Sequence, residues 1–380
     1  MNLNFVATDV EDPFLLKFTL ENTTASFANS IRRTIISEVD TAGFDTEDYT
    51  SSSVSVIENT SGLHNEFILH RIGMVPINIK DTSTFDTSKY KFTLNIENTG
   101  NVIMDVTTAD FEVLNTETGK REETLDFFPP NRITGENILI VKLKPNPGGK
   151  GEKLHLEGSA VISNGSNNAR FSPTSAVMYV NKIDPIKLDI AMKKYLDDAQ
   201  ATAGDEPIDT EKLKRRFMIG ESERHFMTDD NDEPNFFDFT VESIEIIPSV
   251  KIVDLACEKL VEKLEMVKTE LVKALTGEES AVGVENALTV MEARDITFPE
   301  ETHTLGYLLQ DAMLRLISQT DLLFVGYQNP HPLEKKIVLR VALANNSDDS
   351  LREKMTVVID LLIAEYTKIR SALKSQFGEM

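Results

Sequence analysis

"SFANSIRRTIISEV", residues 26–39, decides how the rest of the chain is read. Phe27, Ile31, Ile35 and Val39 recur every fourth residue, which lines one face of a helix with apolar side chains and predicts that this face is buried. Arg32 and Arg33 interrupt the pattern. They follow Ile31 directly and lie in the first half of the helix, where the macrodipole disfavours cations. Their charge therefore answers to something outside the helix itself, either an ion pair within the chain or a partner surface.

Working outward, "FLLKFTL" at 14–20 has strand composition, and "ENTT" at 21–24 supplies helix-capping residues. Downstream, "SVSVI" at 53–57 reads as a short strand, and "LHNEFILHRI" at 63–72 places Leu63, Phe67 and Ile68 at helical spacing. From about 77 to 162, "KFTLNIE", "NVIMDV", "NILIVKL" and "KLHLEGSAVI" gather β-formers between Gly, Asn and Pro turns, which predicts an inserted β-rich domain. Residues 184–235 read as acidic and loop-rich, followed by a strand in "FFDFTVESIEII". A long helix comes next, striped by Ile252, Leu255, Leu260, Leu264, Val267, Leu271 and Leu275 and ending at Gly277. The small, polar segment "GEESAVGVENA" at 277–287 is the linker candidate.

The remainder reads as strand "ARDITF", helix "THTLGYLLQDAMLRLI", strand "LLFVGY", turn "QNPHP" and strand "KKIVLRVAL". A last helix carries Leu351, Met355, Val358, Leu362 and Ile369. This βαββα order repeats that of the first half once the β-rich insertion is set aside. The repeat reaches individual residues: "ASFANSIRR" at 25–33 aligns without gaps with "HTLGYLLQD" at 303–311. Ser26 then pairs with Thr304, Phe27 with Leu305, Ala28 with Gly306 and Ile31 with Leu309. Gln310 and Asp311 stand where the first copy has Arg32 and Arg33.

The expected fold is therefore α+β. Two strand-helix-strand-strand-helix units form an intramolecular pseudo-dimer whose seam is lined by Phe27, Ile31, Ile35, Leu305 and Leu309. The expected domains are a discontinuous first unit of 1–50 with 165–276, an inserted β-rich domain of 51–164, a linker at 277–290, and a second unit at 291–380.

Composition narrows the function classes. The 380 residues include 62 Asp and Glu against 39 Lys and Arg, a formal charge of −23, so the surface as a whole repels nucleic acid and anionic membrane. Any role near DNA is expected to be indirect. With Cys257 as the single cysteine, neither a disulfide nor a thiolate metal site can form within the chain, which fits a reducing compartment. "MNLNFVATDVEDPF" lacks the basic start and apolar core of a signal peptide, and no run of about 18 apolar residues occurs. A soluble, intracellular chain is expected.

Catalytic patterns are missing from the sequence. In "PNPGGKGEKL" Gly151 follows Lys150 where a phosphate loop requires Ser or Thr, and a hairpin loop is expected instead. The histidines, His64, His70, His155, His225, His303 and His331, show no metal-ligand spacing. No nucleophile elbow is present, and the abundance of carboxylates singles out no acid–base pair. The basic run "KLKRRF" at 212–217 reads as an exposed face balancing acidic neighbours. No catalytic residue, metal or cofactor is assigned.

"FTLENTTASFANSIRRTIISEV" followed by "NEFILHRIGMVPI" resembles the larger member of the α-like assembly pair of multisubunit RNA polymerases, found in archaea and, as the third largest subunit, in eukaryotic polymerase II. "RFSPTSAVMYV" and "FFDFTVESIEIIPSVKIVDLACEKL" resemble its later strands and closing helix. "THTLGYLLQDAML" and "VGYQNPHPLEKKIVLRV" resemble the smaller member of the pair, in its archaeal form or as the eleventh eukaryotic subunit. The resemblance implies a non-catalytic platform that pairs its two α-like halves and recruits the largest and second largest polymerase subunits, joined by small zinc-binding subunits. Asn29, Arg32 and Arg33 are then expected at the surface that meets the second largest subunit.

Some members carry a cysteine cluster in the inserted domain, which this chain cannot. Both members in one chain are similar to polymerases of large DNA viruses of eukaryotes, which would make this a virion or host-cytoplasm protein, with the nucleus left open. The competing readings are a stand-alone α+β metabolic enzyme and a dimerisation scaffold unrelated to transcription.

Overall fold

The structure is a computed structural model and describes residues 4–9, 12–48, 50–146, 148–204, 209–287 and 292–378. The chain opens with β1 (Asn4–Asp9), β2 (Leu15–Glu21), α1 (Ala25–Ser37), β3 (Asp40–Gly43), β4 (Val54–Asn59) and α2 (Asn65–Gly73). A strand-rich stretch follows: β5 (Tyr90–Glu97), β6 (Met104–Thr107), β7 (Glu112–Asn115), β8 (Arg121–Glu122), a single helical turn α3 (Thr124–Phe127), β9 (Leu139–Leu143), β10 (Lys153–Gly158) and β11 (Val161–Asn164). Then come β12 (Thr174–Asn181), α4 (Pro185–Ala203), α5 (Thr210–Gly220), β13 (Phe236–Ser243) and α6 (Ser249–Thr276). The last section is β14 (Gly283–Asn286), β15 (Arg294–Pro299), α7 (His303–Leu316), β16 (Leu322–Gln328), β17 (Lys336–Leu343) and α8 (Asp348–Phe377).

The chain divides into two compact units, one of Met1–Thr34, Ala176–Glu242 and Val253–Met380, the other of Ile35–Ser175 and Ser243–Ile252. The expected boundaries lie at 1–50 with 165–276, 51–164, 277–290 and 291–380, whereas both halves of the repeat fall largely in the first compact unit and the inserted β-rich region in the second. The first unit holds two four-stranded sheets with strand orders β1-β2-β13-β12 and β14-β15-β17-β16. The second sheet repeats the first strand for strand.

The registers repeat as well. Phe237 faces Leu20 and Phe239 faces Phe18 in one sheet, and Ile337 faces Phe298 and Leu339 faces Ile296 in the other. In the first sheet the Phe18 and Phe239 rings stack with centroids 4.7 Å apart. The junction into the following helix is also shared. Asn22 and Glu300, at corresponding positions just after β2 and β15, both take a left-handed backbone with φ of 57° and 58°, which turns the chain into a helix whose N-cap is Thr24 or Thr302. The Thr24 hydroxyl accepts from the Phe27 amide, whereas Thr302 makes no side-chain cap bond.

Several expectations need correction. Each half begins with an extra strand, so its order is ββαββα. Phe5 of β1 packs on Phe18 with ring centroids 5.0 Å apart. β14 lies inside the expected 277–290 linker and pairs antiparallel with β15 from Gly283 opposite Thr297 to Asn286 opposite Arg294. It is a four-residue edge strand in which only Val284 is partly buried, too short to show the alternation that marks a half-buried strand. Residues 288–290 of that linker lie outside the described residues.

The supposedly loop-rich 184–235 segment contains a helical hairpin. α4 is capped by Asp184, whose carboxylate accepts from the Ile186 and Lys187 amides, with Pro185 opening the helix. α5 is capped by Asp209. On α2, Phe67 is 62% exposed, and the buried residues are Ile68, Leu69, Ile72 and Gly73. The long helix α6 ends as the pattern requires: Gly277 follows it with φ of 80°, a left-handed conformation that stops the helix.

The second unit is built on the sheet β4-β10-β5-β7-β8 with the two-stranded pairs β11-β3 and β6-β9. Phe44, Phe92, Phe111 and Phe128 pack ring to ring in its core. Asn98, almost fully buried, ties two loops: its Nδ2 donates to the carbonyls of Val102 at 2.9 Å and Leu143 at 2.8 Å, and its Oδ1 accepts from the Gly100 amide. Protein side chains hold these loops together, satisfying buried backbone groups as they do so.

Candidate interaction site

α1 buries Phe27, Ala28 and Ile31 on one face, as its four-residue spacing requires. Phe27 stacks on Tyr366 of α8 with ring centroids 4.4 Å apart and 11° between planes. The Tyr366 hydroxyl and Ser30 Oγ are 2.6 Å apart, and Ser30 Oγ lies 2.6 Å from the Phe27 carbonyl. Ser30 has one hydroxyl hydrogen and donates it to that carbonyl, so Tyr366 is the donor in the Tyr366–Ser30 bond. Burial pushes the Tyr366 hydroxyl pKa far above its ordinary value, which keeps that proton in place.

Polar contacts flank this stack. Ser26 Oγ donates to the Asp311 carboxylate of α7. Arg370 of α8 donates to Asp254 and Glu258 of α6, each at 2.8 Å. Asp254 is buried, and this guanidinium compensates its charge. Of the residues expected at the seam, Phe27, Ile31, Leu305 and Leu309 are buried within the first unit, with Phe27 against α8. Ile35 is also buried but belongs to the second unit's share of α1.

The arginine pair leaves the buried face. Arg32 is half-buried and folds onto Asn29, whose Oδ1 accepts from Nε at 3.0 Å and Nη2 at 2.8 Å. Arg33 is exposed. Both lie within electrostatic reach of tyrosines. Burial raises the Tyr179 hydroxyl pKa, Arg32 acting in the opposite sense and Tyr307 in the same. Burial likewise raises that of Tyr327, with Arg33 opposing it. The two guanidinium groups have the directed donors that suit carboxylate and carbonyl acceptors.

The corresponding positions of the second copy are used inside the chain. Gln310 Oε1 accepts from the Tyr327 amide at 3.0 Å. Asp311 accepts from Ser26 and from Arg315, and Arg315 also pairs with Asp229 and Glu233. Gly306, the counterpart of Ala28, permits close approach of Tyr327: a Cβ there would sit 2.5 Å from the ring.

The sequence reading missed Ser26, Ser30, Tyr366, Asp254 and Arg370. Tyr366 was findable, since it lies four residues after Leu362 and three before Ile369 on the apolar stripe of α8. The others are polar residues whose partners are remote in sequence, and spacing carries no signal for such pairs. Among the described residues no helix is long and apolar enough to cross a membrane, and no three His, Cys, Asp or Glu side chains gather closely enough to hold a metal ion.

Comparison with known proteins adds two family matches. The family described as the RNA polymerase Rpb3/Rpb11 dimerisation domain matches residues 17–264, and a second model of the same description matches residues 293–372. The chain is similar to DNA-directed RNA polymerase subunit Rpo3 of Thermococcus kodakarensis, 28% identical over 277 residues that cover 69% of this chain and 95% of that protein. It is 25% identical over 290 residues to subunit 3 of DNA-directed RNA polymerases II, IV and V of Arabidopsis thaliana, covering 66% of this chain and 86% of that one. It is also 37% identical over 93 residues to a probable DNA-directed RNA polymerase II subunit RPB11 of Caenorhabditis elegans, covering 24% of this chain and 74% of that one.

Proposed function

The chain belongs to the RNA polymerase Rpb3/Rpb11 dimerisation-domain family, and from that premise we propose that it is the non-catalytic assembly platform of a DNA-directed RNA polymerase, with both α-like partners carried on one polypeptide. The observation that carries this reading is the repeated sheet, identical in strand order and register in the two halves. The stacking of Phe27 on Tyr366 supports an intramolecular pseudo-dimer. The matches divide in the same way: the larger relatives align with most of the chain and the RPB11 relative with about a quarter of it. Such a platform contributes no nucleotidyl-transfer chemistry and meets DNA only through the complex.

On this reading the face of Asn29, Arg32 and Arg33 holds the second largest subunit, and the side that lacks the pair holds the largest. Small zinc-binding subunits complete the platform. Two unlike large subunits call for two unlike faces, and the chain supplies them: Arg32 and Arg33 on one copy, Gln310 and Asp311 turned to internal bonds on the other. Carrying both partners in one polypeptide fits the polymerase of a large DNA virus of eukaryotes, active in host cytoplasm and packaged in the virion.

The test is the double change Arg32→Ala with Arg33→Ala in the full chain. It is expected to lower the melting temperature by only a few degrees, because Arg33 is exposed and half-buried Arg32 loses only its bonds to Asn29 (about 1 kcal/mol). Capture of the second largest subunit should fall by at least about tenfold. Undiminished capture, or unfolding of the isolated chain, would overturn the interface role.

A further inference from the structure

The α4–α5 hairpin has outward faces that the pairing of the two halves does not use. α4 runs for 19 residues with none buried, and α5 buries Phe217 alone, which packs against Tyr195 at 5.3 Å and His225 at 5.8 Å. Side chains three and four apart on a helix are neighbours. Away from Phe217, α5 presents Lys212, Arg216 and Ile219 along one line and Arg215 and Met218 along the next, with Arg216 and Met218 on the flanks. All five are exposed or partly so, Ile219 by 88%.

Two properties set this face apart. α5 carries four basic residues against one acidic in a chain of charge −23. Lys214 pairs with Glu211 at 3.3 Å, but Lys212, Arg215 and Arg216 form no ion pair among the described residues. A face that served solubility alone would have no use for exposed Met218 and Ile219 within it, since apolar surface in water is unfavourable. Ile186 and Ile190, one turn apart on α4, are exposed too.

We propose that the outer face of α5 docks an acidic amphipathic helix of a partner protein. Its carboxylates meet Lys212, Arg215 and Arg216, and its apolar stripe covers Met218 and Ile219. Two exposed lines at helical spacing offer the ridge-and-groove surface on which a second helix packs. A nucleic acid would engage the cations but leave Met218 and Ile219 uncovered, and the negative field of the whole chain opposes a long polyanion more than a short helix. The proposal does not depend on which polymerase subunits the platform holds.

The test uses the full chain and three fluorescein-labelled probes, read by anisotropy at low and moderate salt. The first is a synthetic helix with Leu on one face and Glu on its flanks, the second a scrambled peptide of the same composition, and the third a single-stranded RNA of matched charge. The designed helix is expected to bind at least about tenfold more tightly than the other two. Its affinity should fall at least about tenfold with Arg215→Glu plus Arg216→Glu, and separately with Met218→Ser plus Ile219→Ser. A probe carrying Lys for Glu should recover binding to the charge-reversed chain, and this arm shows that the variant is folded. Equal binding of the scrambled peptide, preference for RNA, or indifference to the Met218 and Ile219 changes would overturn the proposal.

Discussion

At the residue scale, the hydroxyls of Ser30 and Tyr366 form a relay in which Tyr366 donates to Ser30 and Ser30 donates to the Phe27 carbonyl. The two ends of the relay are not equivalent. Tyr366→Phe removes one bond but leaves Ser30 satisfied by the carbonyl, so a loss of about 0.5–1.5 kcal/mol is expected. Ser30→Ala strands a fully buried phenol hydroxyl without an acceptor, and the expected loss is about 1–3 kcal/mol. Urea unfolding of the two variants checks the order. Equal losses, or a larger loss for Tyr366→Phe, would contradict the relay. The repeat explains why this relay is one-sided: Leu308 stands in the second copy where Ser30 stands in the first, and offers no hydroxyl.

At the element scale, α6 and α8 are joined by ion pairs of two kinds: Arg370 with Asp254 and Glu258, and Lys268 with Asp360. Arg370–Asp254 involves a carboxylate whose side chain is 3% exposed, whereas Lys268–Asp360 is 34% and 50% exposed on its two sides. Arg370→Ala is expected to cost about 3–5 kcal/mol, because the Asp254 charge is then buried without a partner. Lys268→Ala should cost no more than about 1 kcal/mol. Thermal unfolding of the two variants separates them, and Asp254→Asn in the Arg370→Ala background should restore part of the loss. Comparable destabilisation by both alanine changes would mean that Asp254 is solvated.

These elements were unequally legible in the sequence. The four-residue spacing of α1, the stripes of α6 and α8, and the ungapped correspondence of 25–33 with 303–311 could be read because an apolar face leaves a period behind it. β14 could not, because four residues with Val284 alone partly buried are too short to show an alternation. The α4–α5 hairpin was hidden by its composition: with almost nothing buried it has no apolar stripe of ordinary width, and only Asp184-Pro185 and Asp209 mark its helix starts. The arginine pair drew attention by being out of place. Tyr179 and Tyr327 did not, since they come within electrostatic reach of it only through the fold.

At the scale of the whole molecule, the charge of −23, the ungapped internal repeat and the two matches to one dimerisation family support the proposed assembly platform. The polar clusters described above hold its elements together: Asp311 with Ser26 and Arg315, Asp254 with Arg370. The most direct measurement is native mass spectrometry of the complex isolated on a tag at this chain, from the cells in which it is normally made. The expected result is one copy of the chain together with two very large polypeptides, in an assembly that extends RNA on a DNA template while the isolated chain does not. Recovery of the chain alone, or of two copies of it without large partners, would contradict the account.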